Sequence, residues 1–273
     1  FIDAQEIKYL VYDRYGNAES QTIDVYSTAN MAADSLTVHK TIVNNYGGPN
    51  DTIQVLIVDD STTPPTTTTI TKNAVYARKK GNALSSTVTE YATKDETIAP
   101  ISQTVSTTSR FDIRGNAIDQ QSDRLVADSS GSLILVTRTV IHNSDIDARG
   151  DAHSQEITTY TTDSTGANLE VTGYQVITSR YFDARHNILN QVIFNYDGKG
   201  GTFMDVQEVR YLGFHSSGTT LHQASVTYAD EDRTQIIAAQ ETVNPSVNSS
   251  GNIGHSEITT YRRATIADDT SIA

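Results

Sequence analysis

Four aspartates come nearest, by type and spacing, to a set of metal ligands. Each stands three positions before a glycine or a histidine, and they are Asp13, Asp112, Asp147 and Asp183. Repeated carboxylates suit calcium, but the calcium-binding β-roll needs a short Gly-Gly-x-Gly-x-Asp cadence that this sequence lacks. Aspartate at the first position of a type I turn instead accepts hydrogen bonds from the backbone ahead of it. We therefore expect turn-capping carboxylates, no metal site and no cofactor.

The histidines show no pattern that would support catalysis or metal binding. They are His39, His142, His153, His186, His215, His222 and His255. No His-x-x-x-His or His-Glu-x-x-His spacing occurs, and neither a Gly-x-Ser-x-Gly elbow nor a phosphate-binding loop is present. We interpret the histidines as surface substitutions, and we predict no catalytic residues and a protein that is not an enzyme.

A recurring segment organises the chain around these aspartates. Its best copies begin at Tyr12-Asp13-Arg14-Tyr15-Gly16-Asn17, at Phe111 and at Phe182. The turn positions are Gly16, Gly48, Gly81, Gly115, Gly150, His186, Gly218 and Gly251. They recur at intervals of 32 to 36 residues, and a period in that range indicates a repeat architecture.

The segment has the chemistry of a three-residue hairpin loop whose last residue is left-handed, a role that suits Gly and that His tolerates. Both flanks are rich in the Thr, Ile, Val and Tyr residues that favour strands. The sequence therefore predicts an all-β array of about eight antiparallel β-hairpin repeats, with a period of about 34 residues over 1–273. We expect these hairpins to stack into an elongated solenoid-like, tube-like or spiral sheet, as a segment of a longer array.

A tyrosine ladder accompanies the turns. Six of the eight repeats place tyrosine ten residues after the turn position: Tyr26, Tyr91, Tyr160, Tyr196, Tyr228 and Tyr261. We expect these rings to pack in the core or across strands, with a glycan-stacking platform as the alternative. Residues seven past the turn, such as Ile23, are mostly β-branched. Strict alternation along a strand would put the residues seven and ten past the turn on opposite faces of the sheet. Either both faces are therefore partly buried, or a bulge intervenes.

Composition limits the class of partner. Acidic residues number 33 against 20 Lys and Arg, giving a net charge of −13, which disfavours nucleic acid and anionic lipid. No apolar run is long enough to span a bilayer as a helix, so we expect no membrane insertion. The Thr-rich run 61–71 predicts an inter-repeat loop or an extended edge, and 30–36 is the best candidate for a single helical turn.

A longer similarity bears on assembly. Phe1–Leu10 matches Phe203–Leu212 almost residue for residue, 202 positions later. The first strand, Glu6–Tyr12, is apolar and uncapped, and joining Ala273 to Phe1 produces a sequence that parallels Gly200–Gln207. We therefore predict head-to-tail continuation through the terminal strands, either covalently in a longer polypeptide or by strand addition between subunits.

The Tyr/Phe-Asp-x-x-Gly-Asn core, with its trailing strand, resembles the YD (Rhs-type) repeats of bacterial surface and toxin-shell proteins. It is also similar to the tandem arrays of giant bacterial cell-surface proteins. The resemblance implies an extracellular β-hairpin body with a mechanical or encapsulating role. Our leading hypothesis is a structural module of a giant surface protein or of a filament. An adhesin or binder of surface glycans, and a hollow shell around a cargo, are the alternatives.

Overall fold

The structure is a computed structural model that describes residues 3–59, 61, 63–64, 66–248 and 251–261. The predicted all-β class is confirmed, because sixteen strands occupy most of the described chain. The strands are β1 Ala4–Tyr12, β2 Ala18–Tyr26, β3 Leu36–Asn45, β4 Thr52–Asp59, β5 Thr66–Asn73, β6 Ser85–Tyr91, β7 Ser102–Asp112, β8 Ala117–Ala127, β9 Leu133–Ile146, β10 Ala152–Thr162, β11 Leu169–Phe182, β12 Ile188–Tyr196, β13 Phe203–Phe214, β14 Thr220–Tyr228, β15 Ile236–Val247 and β16 Ile253–Tyr261. The tail 264–273 and its predicted junction with Phe1 lie outside the described residues.

The chain divides into two compact units. The first contains the residues up to His142 together with Thr159–Glu170, and the second contains Asn143–Thr158 and the residues from Val171 onward. In the first unit the hydrogen-bonded order is β1-β2-β3-β6-β7-β8-β9, and in the second it is β11-β12-β13-β14-β15-β16. Neighbours in both orders are antiparallel. Each unit is thus built on an open antiparallel sheet.

An insertion interrupts the hairpin pattern in the first unit. Strand β3 pairs with β6, so residues 46–84 between them leave the main order of the sheet. They form β4, β5 and the short helix α1, Val75–Lys79. Strand β4 pairs antiparallel with β5 and parallel with β7, where Val55 lies opposite Phe111. Val55 and Phe111 are almost fully buried, and Ile53, Ala74 and Ala77 complete this small core.

The insertion corrects the hairpin interpretation of Gly48 and Gly81. Gly48 lies in the loop after β3, and the left-handed residue there is Gly47, with φ 73°. Gly81 is left-handed, with φ 78°, but it follows α1, where its N–H donates to the carbonyl oxygen of Arg78. Eight equal hairpin repeats and their solenoid-like, tube-like or spiral stacking therefore stay predictions.

The second unit has its own apolar core. It is formed by side chains on one face of neighbouring strands: Val192, Val206, Val226, Tyr228 and Ala239. Each of these five side chains is at most 8% exposed. β-Branched and aromatic side chains fill a pleated, half-buried surface well, which is why these segments form strands.

Hairpin register is conserved along the chain. In the β1–β2 hairpin Tyr9 pairs with Gln21, and the next pair is Val11 with Ser20. The β13–β14 hairpin repeats both pairs 202 positions later, as Tyr211 with Gln223 and Gly213 with His222. Register shifts just before the turn also recur in the hairpins β7–β8, β11–β12 and β15–β16. The recurrence shows that the sequence match between Phe1–Leu10 and Phe203–Leu212 reflects one strand geometry over their described residues.

The structure contains the predicted helical turn and the predicted extended edge, and it contains one short helix that the sequence did not predict. The single helical turn occurs as a 3₁₀ turn, Ala33–Ser35. The Thr-rich run is an extended edge from Thr66, because β5 pairs with β4 alone among the described strands. Helix α1 has only five residues, and its N-cap residue Ala74 has no side chain that could cap it, so the sequence carried little signal for this helix.

Candidate functional site

The predicted turn aspartates do cap their turns. Oδ1 of Asp13 accepts hydrogen bonds from the N–H groups of Tyr15, at 2.8 Å, and Asn17, at 2.9 Å. Gly16 has φ 85°, and its N–H donates to the carbonyl oxygen of Asp13. Desolvation raises the pKa of the Asp13 carboxyl, but hydrogen bonds led by the one from Arg78 outweigh it and hold that pKa below its usual range.

The same geometry recurs at the other predicted turns. The carboxylates of Asp112, Asp147 and Asp183 each accept the N–H groups two and four residues ahead. His186 has φ 65°, which confirms its predicted left-handed conformation. Gly115, Gly150, Gly218 and Gly251 are left-handed as well. The turns at Gly218 and Gly251 begin with His215 and Asn248 in place of Asp, and those residues also accept from the backbone ahead.

Neighbouring turns are bridged by the residue that follows the turn position. In the first unit Nδ2 of Asn17 donates to the Arg78 carbonyl oxygen at 2.7 Å, and Nδ2 of Asn82 donates to that of Gly115. Gly81 therefore lies between the turns at Gly16 and Gly115, although it caps a helix. We call this series of bridged chain reversals, at Gly16, Gly81 and Gly115, the turn row of the first unit.

The second unit has two bridged pairs of turns, Gly150 with His186 and Gly218 with Gly251. Oδ1 of Asp151 lies 2.7 Å from Nδ1 of His186. The Thr219 hydroxyl donates to the Gly251 carbonyl oxygen at 2.7 Å. The sequence shows an Asn directly after several of the turn positions. Its bridging role could not be predicted, because the role depends on which turns become neighbours in the fold.

The tyrosine ladder lies mainly inside the sheet. Tyr26 and Tyr228 are 3% and 4% exposed, and Tyr261 is the most exposed of the six, at 37%. The ring of Tyr196 packs between its cross-strand partners, tilted against the ring of Tyr174 at 5.9 Å and edge-on to that of Phe203 at 5.8 Å. Tyr91 and Tyr160 are half-buried. The ladder therefore packs across strands, as expected.

On strand β12 both faces are partly buried, so the residues seven and ten past the turn can lie on opposite faces without a bulge between them. Ile193 and Tyr196 belong to one uninterrupted register with β11, so they point to opposite faces, and both are half-buried. The register irregularity lies instead in the pairing of β12 with β13, between the β13 partners of Asn195 and Tyr196.

A buried ionic cluster occurs on the first unit. Asp24 and His39 are cross-strand partners on β2 and β3, with Oδ1 of Asp24 2.5 Å from Nδ1 of His39. They are 3% and 5% exposed. Nζ of Lys94 lies 2.6 Å from Oδ2 of Asp24 and donates to the Tyr26 hydroxyl at 2.7 Å. Nε2 of His39 lies 3.3 Å from Oε1 of Glu96.

The cluster balances its own charges. Desolvation raises the pKa of the Asp24 carboxyl, but hydrogen bonds from Lys94 and His39 outweigh it and lower that pKa. The hydrogen bond to Asp24, followed by that to Tyr26, raises the pKa of the Lys94 ammonium. Because a buried carboxylate is costly unless it is paired, this arrangement explains why Asp24 is tolerated inside a sheet. The interpretation of all histidines as surface substitutions was wrong for His39.

A depression of about 540 Å³ opens beside this cluster. It is lined by Tyr26, Met31, Ala33, Leu36, Ala92, Thr93 and Lys94. Lys94 is the charged group of the lining, and its ammonium is already held by Asp24 and Tyr26. The oxygens of the turn carboxylates and of Asp24 accept hydrogen bonds from groups of the protein itself. Among the described residues, no group of three or more His, Cys, Asp or Glu is placed to hold a metal ion.

The outermost strands of the described sheets differ from the inner ones. Strand β1 pairs with β2 alone, and β16 with β15 alone, among the described strands. Tyr9, Leu10 and Tyr12 on β1 are each more than half exposed. Every residue of β16 is exposed. Within the described residues, one backbone edge of each of these two strands has no strand partner.

Comparison with models of known protein families finds no match, and comparison with curated proteins finds none either. In the part of the chain that the structure describes, no helix has the length and apolar character to cross a membrane. The resemblance to YD repeats stays a prediction.

Proposed function

We propose that this chain is a structural module of an extracellular or cell-surface repeat protein, acting as a segment of a longer surface polypeptide or as the subunit of a filament. The observation that carries the proposal is the register shared by the β1–β2 and β13–β14 hairpins. A register that recurs after 202 positions is what a body built by repetition needs, since each hairpin must offer the next the same surface.

The polar groups support the same proposal. Turn carboxylates cap backbone N–H groups, the residues after the turns bridge neighbouring turns, and Asp24 is paired with His39 and Lys94. Groups that satisfy one another in this way stabilise the fold. The net charge of −13 keeps such a surface soluble and disfavours nucleic acid as a partner.

Immunogold electron microscopy of intact cells of the source organism tests the proposal, using an antibody raised against this chain. We expect label on the outer surface of unpermeabilised cells, arranged along extended structures. Label that appears only after permeabilisation would contradict it. Pre-immune serum and an antibody against a cytoplasmic protein serve as controls.

A glycan-binding adhesin is the second candidate, because Tyr9 and Tyr12 form an exposed stack with their ring centroids 5.8 Å apart. Exposed aromatic faces suit sugar stacking. The equivalent Tyr211 and Phe214 also stack, at 6.2 Å, on β13, where both are half-buried. That recurrence favours a packing role, and a glycan array with wild-type protein and a Tyr9→Ala variant distinguishes the two. The hollow-shell alternative stays a prediction.

A further inference from the structure

The two outermost described strands have inner counterparts elsewhere in the chain. The β13–β14 register repeats that of β1–β2 with every paired residue 202 positions later. The β15–β16 register repeats that of β11–β12 with every paired residue 65 positions later. Strand β1 is therefore equivalent to β13, and β16 is equivalent to β12.

The pairing of β12 with β13 is consequently a template for pairing β16 with β1. In that template Gln191 lies opposite Val209, and Ile193 lies opposite Gln207. We propose, resting on the structural function above, that β16 of one copy adds antiparallel to β1 of a second copy in this register. Ser256 then lies opposite Ile7, and Ile258 lies opposite Gln5.

Apolar side chains on the two edges fit this pairing. Ile7 and Ile258 are 47% and 61% exposed, and in the proposed register they are diagonal neighbours on one face of the sheet. Their counterparts Val209 and Ile193 hold the same relation inside the second unit, where Val209 is 8% exposed. Strand addition would bury both isoleucines and pair the backbone groups of both edges.

Charged side chains lie on the other face. On β1 Lys8 lies 2.9 Å from Glu6, and on β16 His255 lies 3.5 Å from Glu257. The register brings Lys8 opposite His255 and Glu6 opposite Glu257, and two like charges directly opposite each other oppose the pairing. Lys8 is also the diagonal neighbour of Glu257, and that attraction offsets part of the repulsion. Arg210, 3.2 Å from Glu208, is the inner counterpart of the Lys8–Glu6 pair.

A second copy is the occupant that these observations favour. The two edges differ and match each other, and each has a counterpart that already makes this contact within the chain. Such a contact is heterologous, and it propagates into an open chain of subunits unless its rotation closes a ring.

Cysteine cross-linking tests the register, because the chain contains no cysteine. Full-length Ile7→Cys and Ser256→Cys variants are mixed and oxidised, and non-reducing gels measure the disulfide-linked dimer. The matched control mixes Ile7→Cys with Glu257→Cys, since a slip of one residue turns the second thiol to the other face. We expect about tenfold more cross-linked dimer from the first mixture than from the control.

Three outcomes would overturn the proposal: equal cross-linking in both mixtures, no dimer in either, or efficient dimerisation of Ser256→Cys alone, which would indicate symmetric β16–β16 pairing. Circular dichroism checks that these exposed substitutions leave the fold intact. If the cysteine variants do not cross-link but the antibody labels the cell surface, strand addition is contradicted and the proposed function stands. If they do cross-link but the label is purely cytoplasmic, strand addition stands and the proposed function is contradicted.

Discussion

Asp24 and His39 form a deeply buried cross-strand pair in the first unit, with Oδ1 and Nδ1 2.5 Å apart. The equivalent position 99 residues later holds a cross-strand ion pair, Asp123 with Arg138, joined by two hydrogen bonds of 2.7 Å. In the second unit Val226 pairs with Ala239 at the matching point of β14. One repeat position is thus filled by hydrogen-bonded polar side chains in one unit and by apolar side chains in the other.

Replacing Asp24 tests whether the charged version stabilises the fold. The Asp24→Asn variant removes the buried carboxylate that pairs with His39 and Lys94, and removing one partner of a buried ion pair costs about 3 kcal/mol. Urea unfolding followed by circular dichroism measures the loss. Asp34→Asn, an exposed site with the same change of charge, is expected to stay near wild-type. An Asp24→Asn variant as stable as wild-type would show that the cluster contributes nothing to stability.

The turns could be predicted from sequence because their chemistry is local. Asp13 caps N–H groups within four residues of itself, and the left-handed conformation of His186 follows from its place in the motif. The all-β class followed equally from the strand-forming composition between turns. Each inference needed only neighbours along the chain.

The insertion and the ionic cluster could not be predicted in the same way. Gly48 and Gly81 preserve the repeat interval, so spacing alone gave no sign that 46–84 would leave the sheet. The Asp24–His39 contact depends on the register between two strands separated by an irregular loop. Lys94 reaches Asp24 from a segment 70 positions away. Such contacts are set by tertiary packing, which periodicity does not encode.

Acid should destabilise both units through their turn carboxylates. Hydrogen bonds lower the pKa of Asp163 to about 2, led by the Thr165 hydroxyl. Backbone N–H groups of Asp151 and Arg149 outweigh desolvation and lower the pKa of Asp147 to about 2. A lowered folded-state pKa means that the unfolded chain binds more protons. The stabilisation is therefore present above 3.8, the ordinary pKa of an aspartate, and is lost as pH falls towards 2.

Thermal unfolding between pH 5 and pH 2 checks this dependence. Asp147→Asn keeps an oxygen acceptor for the turn but has no charge to titrate, so its unfolding temperature should fall less steeply with acid than that of wild-type. Asp232→Asn, at an exposed site in the same unit, should follow the wild-type profile. Identical slopes for wild-type and Asp147→Asn would contradict the role of that carboxylate.

Alanine at two turn glycines separates backbone strain from turn-to-turn packing. Gly16 and Gly115 are both left-handed, with φ 85° and 91°. A Cβ at Gly16 meets nothing within 4 Å, whereas one at Gly115 comes within 2.9 Å of Nδ2 of Asn82. Gly16→Ala should therefore cost about 1 kcal/mol, the penalty of a left-handed Ala. Gly115→Ala should cost about 1 kcal/mol more, since the bridging amide must move. Equal losses in urea unfolding would mean that the turn row does not constrain this residue.

Arg78 should hold the insertion against the first turn. Its Nε donates to Oδ2 of Asp13 at 2.7 Å, its Nη2 to Glu19, and its Nη1 to the Gly47 carbonyl oxygen at 3.1 Å. Arg78→Ala removes all three contacts, so we expect amide exchange in 46–84 to accelerate at least about tenfold, as local opening becomes easier. Arg14→Ala is the control, because that guanidinium contacts its neighbour Tyr15. Hydrogen-exchange mass spectrometry compares both variants with wild-type, and unchanged exchange in Arg78→Ala would show that the apolar core around Phe111 holds the insertion unaided.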